Sequence, residues 1–294
     1  MLLPRILTAL VLLALILPTL FFGPPWTWGL LTLAFCAIGA LEWCRLINIH
    51  PVFAAAVVVF GALWLGSRQN GMNPQLDWTA LAFTTSAAAF WVIAAPSRLA
   101  RAMRPARGAN RLGGPLILLV CGAAWLASYE LRAQGVGAIL SVAAVVWIAD
   151  IAAYFGGRAW GRRKLAPNIS PGKTWAGAFC AVGAVTASGL IVTATQIEPV
   201  ARSLGLEGHV PTVSLPTQLV EGVGLIGFIS ILVLLTIMAI VGDLFESLLK
   251  REAGVKDSGR LLPGHGGVLD RIDALLPVLP LGYLAWRLLA MPMP

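Results

Sequence analysis

From Ser247 to Asp273 the chain reads SLLKREAGVKDSGRLLPGHGGVLDRID, a polar run inside a very apolar sequence. Lys250, Arg251, Lys256, Arg260 and Arg271 stand among Glu252, Asp257, Asp270 and Asp273, around the glycine-rich turn Pro263-Gly264-His265-Gly266-Gly267. Cations suit phosphates, carboxylates suit the metal that accompanies phosphates, and glycines let backbone N–H groups come close to oxygens. Asp243, Glu246, Ser247 and Lys250 follow i, i+3, i+4, i+7 spacing, which makes one polar face at a helix end. Asp270 and Asp273 open the next apolar segment. Acidic groups brought together from consecutive helix ends make a candidate hard-cation site, with substrate phosphates filling the remaining positions. A purely structural salt-bridge loop is the alternative.

Two upstream features point the same way. Asp150 lies inside an apolar segment, about two turns or ~10 Å before Gly157, and a carboxylate at that depth is a functional candidate. Tyr154, Gly157 and Gly161 share its helical face at i+4, i+7 and i+11, so a ligand or another backbone has room to approach. A structural pairing of Asp150 with an arginine is the competing reading. Next comes RAWGRRKLAPNISPGKTW, residues 158–175. Gly172-Lys173-Thr174 resembles the end of a P-loop, but Pro167 stands where that motif needs glycine and no strand precedes it. Ser170, Lys173 and Thr174 still sit just before a helix, where hydroxyls and a lysine make a good anion site. Helix capping by Ser170 or Thr174 is the plainer account.

These residues must be held by membrane-spanning elements. Hydrophobic residues make up 58% of the 294 and charged residues 12%, about half the charge of a soluble domain. Nine apolar segments can be drawn, at 6–22, 27–44, 52–67, 78–95, 114–131, 136–156, 175–195, 222–245 and 274–290, most of them near the ~20 residues that cross a bilayer as a helix. The fold class expected is an all-α integral membrane protein of about nine transmembrane helices, with residues 1–112 as scaffold and 113–294 as the catalytic region. Segment 6–22 runs into Gly23-Pro24-Pro25 rather than a cleavage site, so a retained helix is expected rather than a secretory signal. Cys36, Cys44, Cys121 and Cys180 have neither disulfide nor zinc spacing.

The net charge of +8 does not indicate nucleic acid, because its distribution is a topology signal. With loops alternating sides, Arg68, Arg132 and Arg202 fall on one side and Arg287 within the last segment. Every other Lys and Arg falls on the side of the N-terminus, which places that side in the cytoplasm. Arg98, Arg101, Arg104, Arg107 and Arg111 read as positive-inside retention, or as a basic turn for anionic lipid. Trp26, Trp28, Trp43, Trp64, Trp78, Trp160 and Trp175 lie near segment ends and read as headgroup anchors. Glu42 reads as an interfacial carboxylate near Arg45. The outer loop 196–221, with Glu198, Arg202, Glu207, His209 and Glu221, reads as a solvated connection.

The run Ser247-x-Leu249-Lys250-Arg251-x4-Lys256-Asp257-x-Gly259-x2-Leu262-Pro263-x-His265-Gly266-Gly267-Val268-x-Asp270-Arg271-Ile272-Asp273 resembles the signature of the phosphatidate cytidylyltransferases, or CDP-diacylglycerol synthases. Asp150-x2-Ala153-Tyr154-x2-Gly157-Arg158-x2-Gly161 and Ser170-Pro171-Gly172-Lys173-Thr174 resemble a second motif region of that family. Ala176 departs from it, standing where members often carry Glu or Gln. The resemblance implies an enzyme that joins phosphatidic acid to CTP, releasing pyrophosphate. It implies Mg²⁺ on Asp243 and Asp270 and leaves a second cation open. Lys250, Arg251, Lys256 and Asp257 would act in catalysis, with His265 orienting a phosphate. Arg158, Ser170, Lys173, Thr174, Ser247 and Arg271 would bind substrate, while Asp150, Glu246 and Asp273 would support the metal or the cations. The expected setting is a bacterial-type inner membrane, multi-pass, with the active site at its cytoplasmic interface and a second copy of the chain as a candidate partner. A CTP-dependent lipid kinase and an anion transporter are the alternatives. A CDP-alcohol phosphotransferase is disfavoured, since its DGxxAR…GxxxDxxxD pattern is missing.

Overall fold

The computed structural model describes residues 2–69, 75–102, 113–195, 215–264 and 266–290. Arg104, Arg107, Arg111, Glu198, Arg202, Glu207, His209 and His265 lie outside the described residues. Each of the nine apolar segments forms a helix. These are α1 (Leu2–Phe21), α2 (Pro25–Leu46), α3 (Val52–Gln69), α4 (Gln75–Ala89), α6 (Gly114–Gln134), α7 (Val136–Trp160), α8 (Trp175–Thr195), α9 (Leu215–Glu252) and α11 (Leu275–Ala290). A π-helical turn, Phe90–Ala94, carries α4 into the short α5 (Ala95–Ala102). The one-turn α10 (Leu269–Ile272) precedes α11. Among the described residues six helices are long and apolar enough to cross a membrane, while Ile6–Phe21 and Val52–Arg68 form shorter apolar helices.

Local chemistry sets several of these boundaries. Proline opens α2 and lies in the first turn of α6, where its missing N–H costs no helical hydrogen bond. Gly135 at φ 135 separates α6 from α7, a conformation closed to residues with a Cβ. α9 runs 38 residues and is interrupted at Gly224 by a non-helical turn. Its last ten residues carry the polar face, so the helix continues past the apolar segment that announced it.

α6 is the central post, with almost every side chain from Val120 to Arg132 buried. Around it pack α2, α3, α4 and α11, while α7 lies along α8, and α9 joins α8 to α11. Three tryptophans depart from the interfacial expectation: Trp28, Trp43 and Trp64 are core residues. Trp28 Nε1 donates to Ser128 Oγ at 3.0 Å and Trp64 Nε1 to Glu130 Oε1 at 3.1 Å. The Trp28 and Trp64 indoles thus bury their rings and satisfy their N–H groups inside the bundle. Trp26, Trp78, Trp160 and Trp175 are exposed, as anchors require.

Residues 164–174 are not an open loop. Lys164–Ala166 (β1) and Ser170–Thr174 (β2) pair antiparallel, with Lys164 opposite Thr174 and Ala166 opposite Ser170. This hairpin leads directly into α8.

The bundle has two distinct polar ends. At one, Arg68 donates Nε and Nη2 to Glu130 Oε1 at 3.1 and 2.9 Å. There too, Arg132 donates to the carbonyls of Leu20 and Gly23. The other end gathers the C-termini of α2, α7 and α9, the hairpin, and the loop into α10.

Candidate active site

At this second end the helical spacing of α9 places Asp243, Glu246, Ser247 and Lys250 on one face, as expected. Ser247 Oγ donates to Asp243 Oδ1 at 3.4 Å, and Lys250 Nζ forms an i,i+4 ion pair with Glu246. The same ammonium reaches across to Asp270 Oδ1 at 2.6 Å. The hairpin is locked on from the side. Lys173 Nζ lies 2.5 Å from Asp243 Oδ2, and Arg251 Nε donates to the Ile169 carbonyl at 3.1 Å. Thr174 Oγ1 accepts from Gly177 N–H at 3.1 Å, which caps α8. Arg98 holds the far end of α9 through Glu252 at 2.6 Å, an ion pair beyond its expected retention role.

Asp270 orders the glycine-rich loop. Its Oδ2 accepts from Gly267 N–H at 2.8 Å, and from the N–H and hydroxyl of Ser258, both at 3.0 Å. Burial alone would raise its pKa, but the Glu246 and Lys250 side chains and the N–H groups of Gly267 and Ser258 hold it at about 2. Gly266 sits at φ +83, turning the chain so that the Gly267 N–H can reach that oxygen.

Glu42 overturns its expected place at the membrane surface. It is 2% exposed and lies under this loop. It accepts from Leu269 N–H at 2.8 Å, Val268 N–H at 3.1 Å and Ser258 Oγ at 2.8 Å. Two otherwise unmatched donors at the start of α10 are thereby satisfied. A Cβ on Gly267 would stand 2.1 Å from Ser258 Oγ and 2.5 Å from Glu42 Oε2, so only glycine fits there. No spacing in the sequence links α2 to this loop; a carboxylate in an apolar helix was the available signal.

Between α7, the hairpin, α9 and α10 lies a cavity of about 370 Å³. It brings together Asp150, Lys173, Thr174, Asp243, Asp270, Arg271 and Asp273. Asp273 accepts from Ala274 N–H at 2.8 Å, and burial together with the Asp243 charge pushes its carboxyl up to about 7. The expected approach at Gly157 is present, with Thr174 Oγ1 and Gly177 against it.

Other predicted site residues stand around this cavity rather than on its wall. Glu246, Ser247 and Lys250 form the packed layer behind Asp243 and Asp270, while Arg251 ties the hairpin to α9. Arg158 is exposed and donates to the Tyr154 hydroxyl at 3.1 Å. Ser170 opens β2, and Lys256 and Asp257 are exposed on the loop beyond α9. Ala176, in the first turn of α8, is half-buried.

The chain matches the cytidylyltransferase family over residues 3–289. It is 33% identical over 300 residues to a phosphatidate cytidylyltransferase of Haemophilus influenzae, covering 95% of this chain and 96% of that one. A Pseudomonas aeruginosa protein of the same name is 37% identical over 291 residues, 95% of each chain. One from Brucella suis is 46% identical over 158 residues, covering 54% of this chain and 50% of its relative. A match that runs nearly end to end takes in α2 with its Glu42 as well as the hairpin and the glycine loop, and the chain belongs to the cytidylyltransferase family.

Proposed function

We propose that this protein is a phosphatidate cytidylyltransferase, transferring the cytidylyl group of CTP to phosphatidic acid. The end-to-end likeness to relatives of that name carries the reading. The cavity that joins Lys173, Asp243, Asp270 and Arg271 supplies its chemistry. Phosphatidate is a phosphate monoester with a second pKa near 6, so its oxygen is already a nucleophile at neutral pH. That oxygen forms a bond to the α-phosphorus of CTP, the bond from the α-phosphorus to the bridging oxygen breaks, and pyrophosphate leaves with the electron pair. No strong base is needed. The obstacle is bringing two anions together, so catalysis is positioning plus electrostatics.

Lys173 sits at the cavity on a hairpin fixed by Arg251, and it is the cation best placed to pass from Asp243 to a substrate phosphate. Arg271 offers a second cation from α10. Lys250, held between Glu246 and Asp270, acts by fixing Asp270 and through it the glycine loop.

The donor set suits Mg²⁺. Asp150, Asp243, Asp270 and Asp273 present hard oxygens to one cavity, the ligand type this ion takes. Among the described residues no three His, Cys, Asp or Glu side chains can hold an ion by themselves. Substrate phosphates would complete its shell, as Mg²⁺ commonly requires. Asp243 and Asp270 would hold it, and it would supply charge neutralisation for the phosphates and the departing pyrophosphate.

Incubating purified protein with phosphatidic acid, Mg²⁺ and CTP labelled at the α-phosphate tests the reaction. Labelled lipid with pyrophosphate release is expected. Release of CDP, with transfer of the γ-phosphate, would identify a lipid kinase instead.

A further inference from the structure

A second cavity, of about 280 Å³, adjoins the first and is apolar. Its walls come from α1, α2, α6, α7 and α11, including Leu12, Ile16, Phe35, Leu140, Ala143 and Leu276. Arg271 borders both cavities. α7 does as well, changing character within one turn. Trp147 faces the apolar space and Asp150, three residues or ~4.5 Å further along, faces the polar one.

The long direction of the apolar cavity leads away from the chemistry. Thr8 Oγ1 on α1 donates to the Pro263 carbonyl of the glycine-rich loop at 3.4 Å. From there Leu12, Ile16 and Leu20 step down the same wall, a depth of ~12 Å between the first and last at 1.5 Å per residue. Even the polar side chains along this wall are occupied within the bundle. Ser128 Oγ accepts from Trp28 Nε1, and Thr32 Oγ1 donates to the Trp28 carbonyl. Among the described lining residues Arg271 alone is charged. A nucleotide has no group suited to such a space. A diacyl phosphate needs both environments joined end to end, with the charged head at the cation and hydrocarbon beyond it.

We propose that this apolar cavity seats an acyl chain of the reacting phosphatidate, with Arg271 at the junction between its phosphate and its glycerol-linked chain. This rests on the cytidylyltransferase reading and adds to it the place of the lipid tail. The tail leaves bilayer hydrocarbon for cavity hydrocarbon, so its burial supplies little hydrophobic driving force. The larger effect is orientation, since a seated tail limits how the phosphate can approach the α-phosphorus.

Two measurements decide it. Ala143→Phe narrows the cavity from α7, and Ile16→Trp narrows it from α1. Either should lower kcat/KM for dioleoyl phosphatidate relative to dihexanoyl phosphatidate about tenfold, the order of effect a steric change in an apolar pocket produces. A chain-length ratio equal to that of the parent protein in both variants would overturn the proposal. The second measurement needs neither turnover nor a variant. Phosphatidate carrying a diazirine within one acyl chain is photolysed with the unaltered protein in phosphatidylethanolamine vesicles. Label should fall on peptides 12–20 and 139–147 and be displaced by excess phosphatidate but not by added phosphatidylethanolamine. Label confined to outward residues such as Phe179 and Ile191, or displaced equally by both lipids, would identify bulk or structural lipid and overturn it. If the unaltered protein makes no labelled lipid from CTP, the functional reading fails while the crosslinking result still decides the cavity.

Discussion

Asp270 shows how one carboxylate can serve both the loop and the site. Its Oδ1 takes Lys250, while its Oδ2 takes Gly267 N–H and both donors of Ser258. Asp243 has fewer ties, Lys173 on Oδ2 and a long hydrogen bond from Ser247 on Oδ1. Substitution by Asn keeps the size, removes the charge and turns one acceptor into a donor. Both Asp243→Asn and Asp270→Asn are expected to lower CDP-diacylglycerol formation on the order of 10³-fold or more, as loss of a metal ligand would. Only Asp270→Asn should also lower the melting temperature clearly, because it sets an NH₂ against the loop's donors. Steady-state rates over a range of Mg²⁺ concentrations, with melting curves in detergent, check both claims. Near-normal activity in Asp270→Asn with an unchanged metal requirement would refute the assignment.

Among the elements, α2 and the hairpin do what their sequences least advertise. α2 sends Glu42 beneath the glycine loop, so a helix expected as scaffold supports the site. Glu42→Gln replaces one acceptor oxygen by a donor facing N–H and O–H groups. Each buried group left unpaired costs about 1–3 kcal/mol, and the loss should fall on residues 256–269. Trypsin should then cut faster at Lys256 and Arg260, with melting lowered; cleavage at the parent rate would show that the clamp does not hold the loop. The polar face of α9 was legible because 3.6-residue periodicity is local, and so was the charge of the glycine loop. Glu42 was not, because its partners include backbone N–H groups 226 and 227 positions away, which no side-chain spacing records. The hairpin escaped notice because strands of three and five residues containing Pro171 and Gly172 give no alternating pattern. Trp28, Trp43 and Trp64 misled for a related reason: position near a segment end says nothing about which neighbour covers the ring.

At the scale of the whole molecule, the two ends of the bundle differ in charge and in use. One end has Arg68, Glu130 and Arg132 tied to one another's helices and to α1. The other carries the hairpin lysines Lys164 and Lys173, the α9 cations and the cavity. Basic residues are retained on the cytoplasmic side of a membrane, and CTP is a cytoplasmic nucleotide, so the cavity end is expected inside with the N-terminus. If all nine apolar helices span, the C-terminus lies outside. Single cysteines can test this with little disturbance, since Cys36, Cys44 and Cys121 are buried and only Cys180 is partly exposed. In a Cys180→Ala background, Asn168→Cys on the hairpin and Val255→Cys on the loop after α9 sit at exposed positions of the cavity end. Gln134→Cys sits exposed at the opposite end. In sealed right-side-out vesicles an impermeant maleimide should label position 134 and spare 168 and 255 until the membrane is opened. The reverse pattern would invert the orientation. Labelling of 134 and 255 together from outside would place the cavity's two motif regions on different faces, which the Lys173–Asp243 contact cannot accommodate.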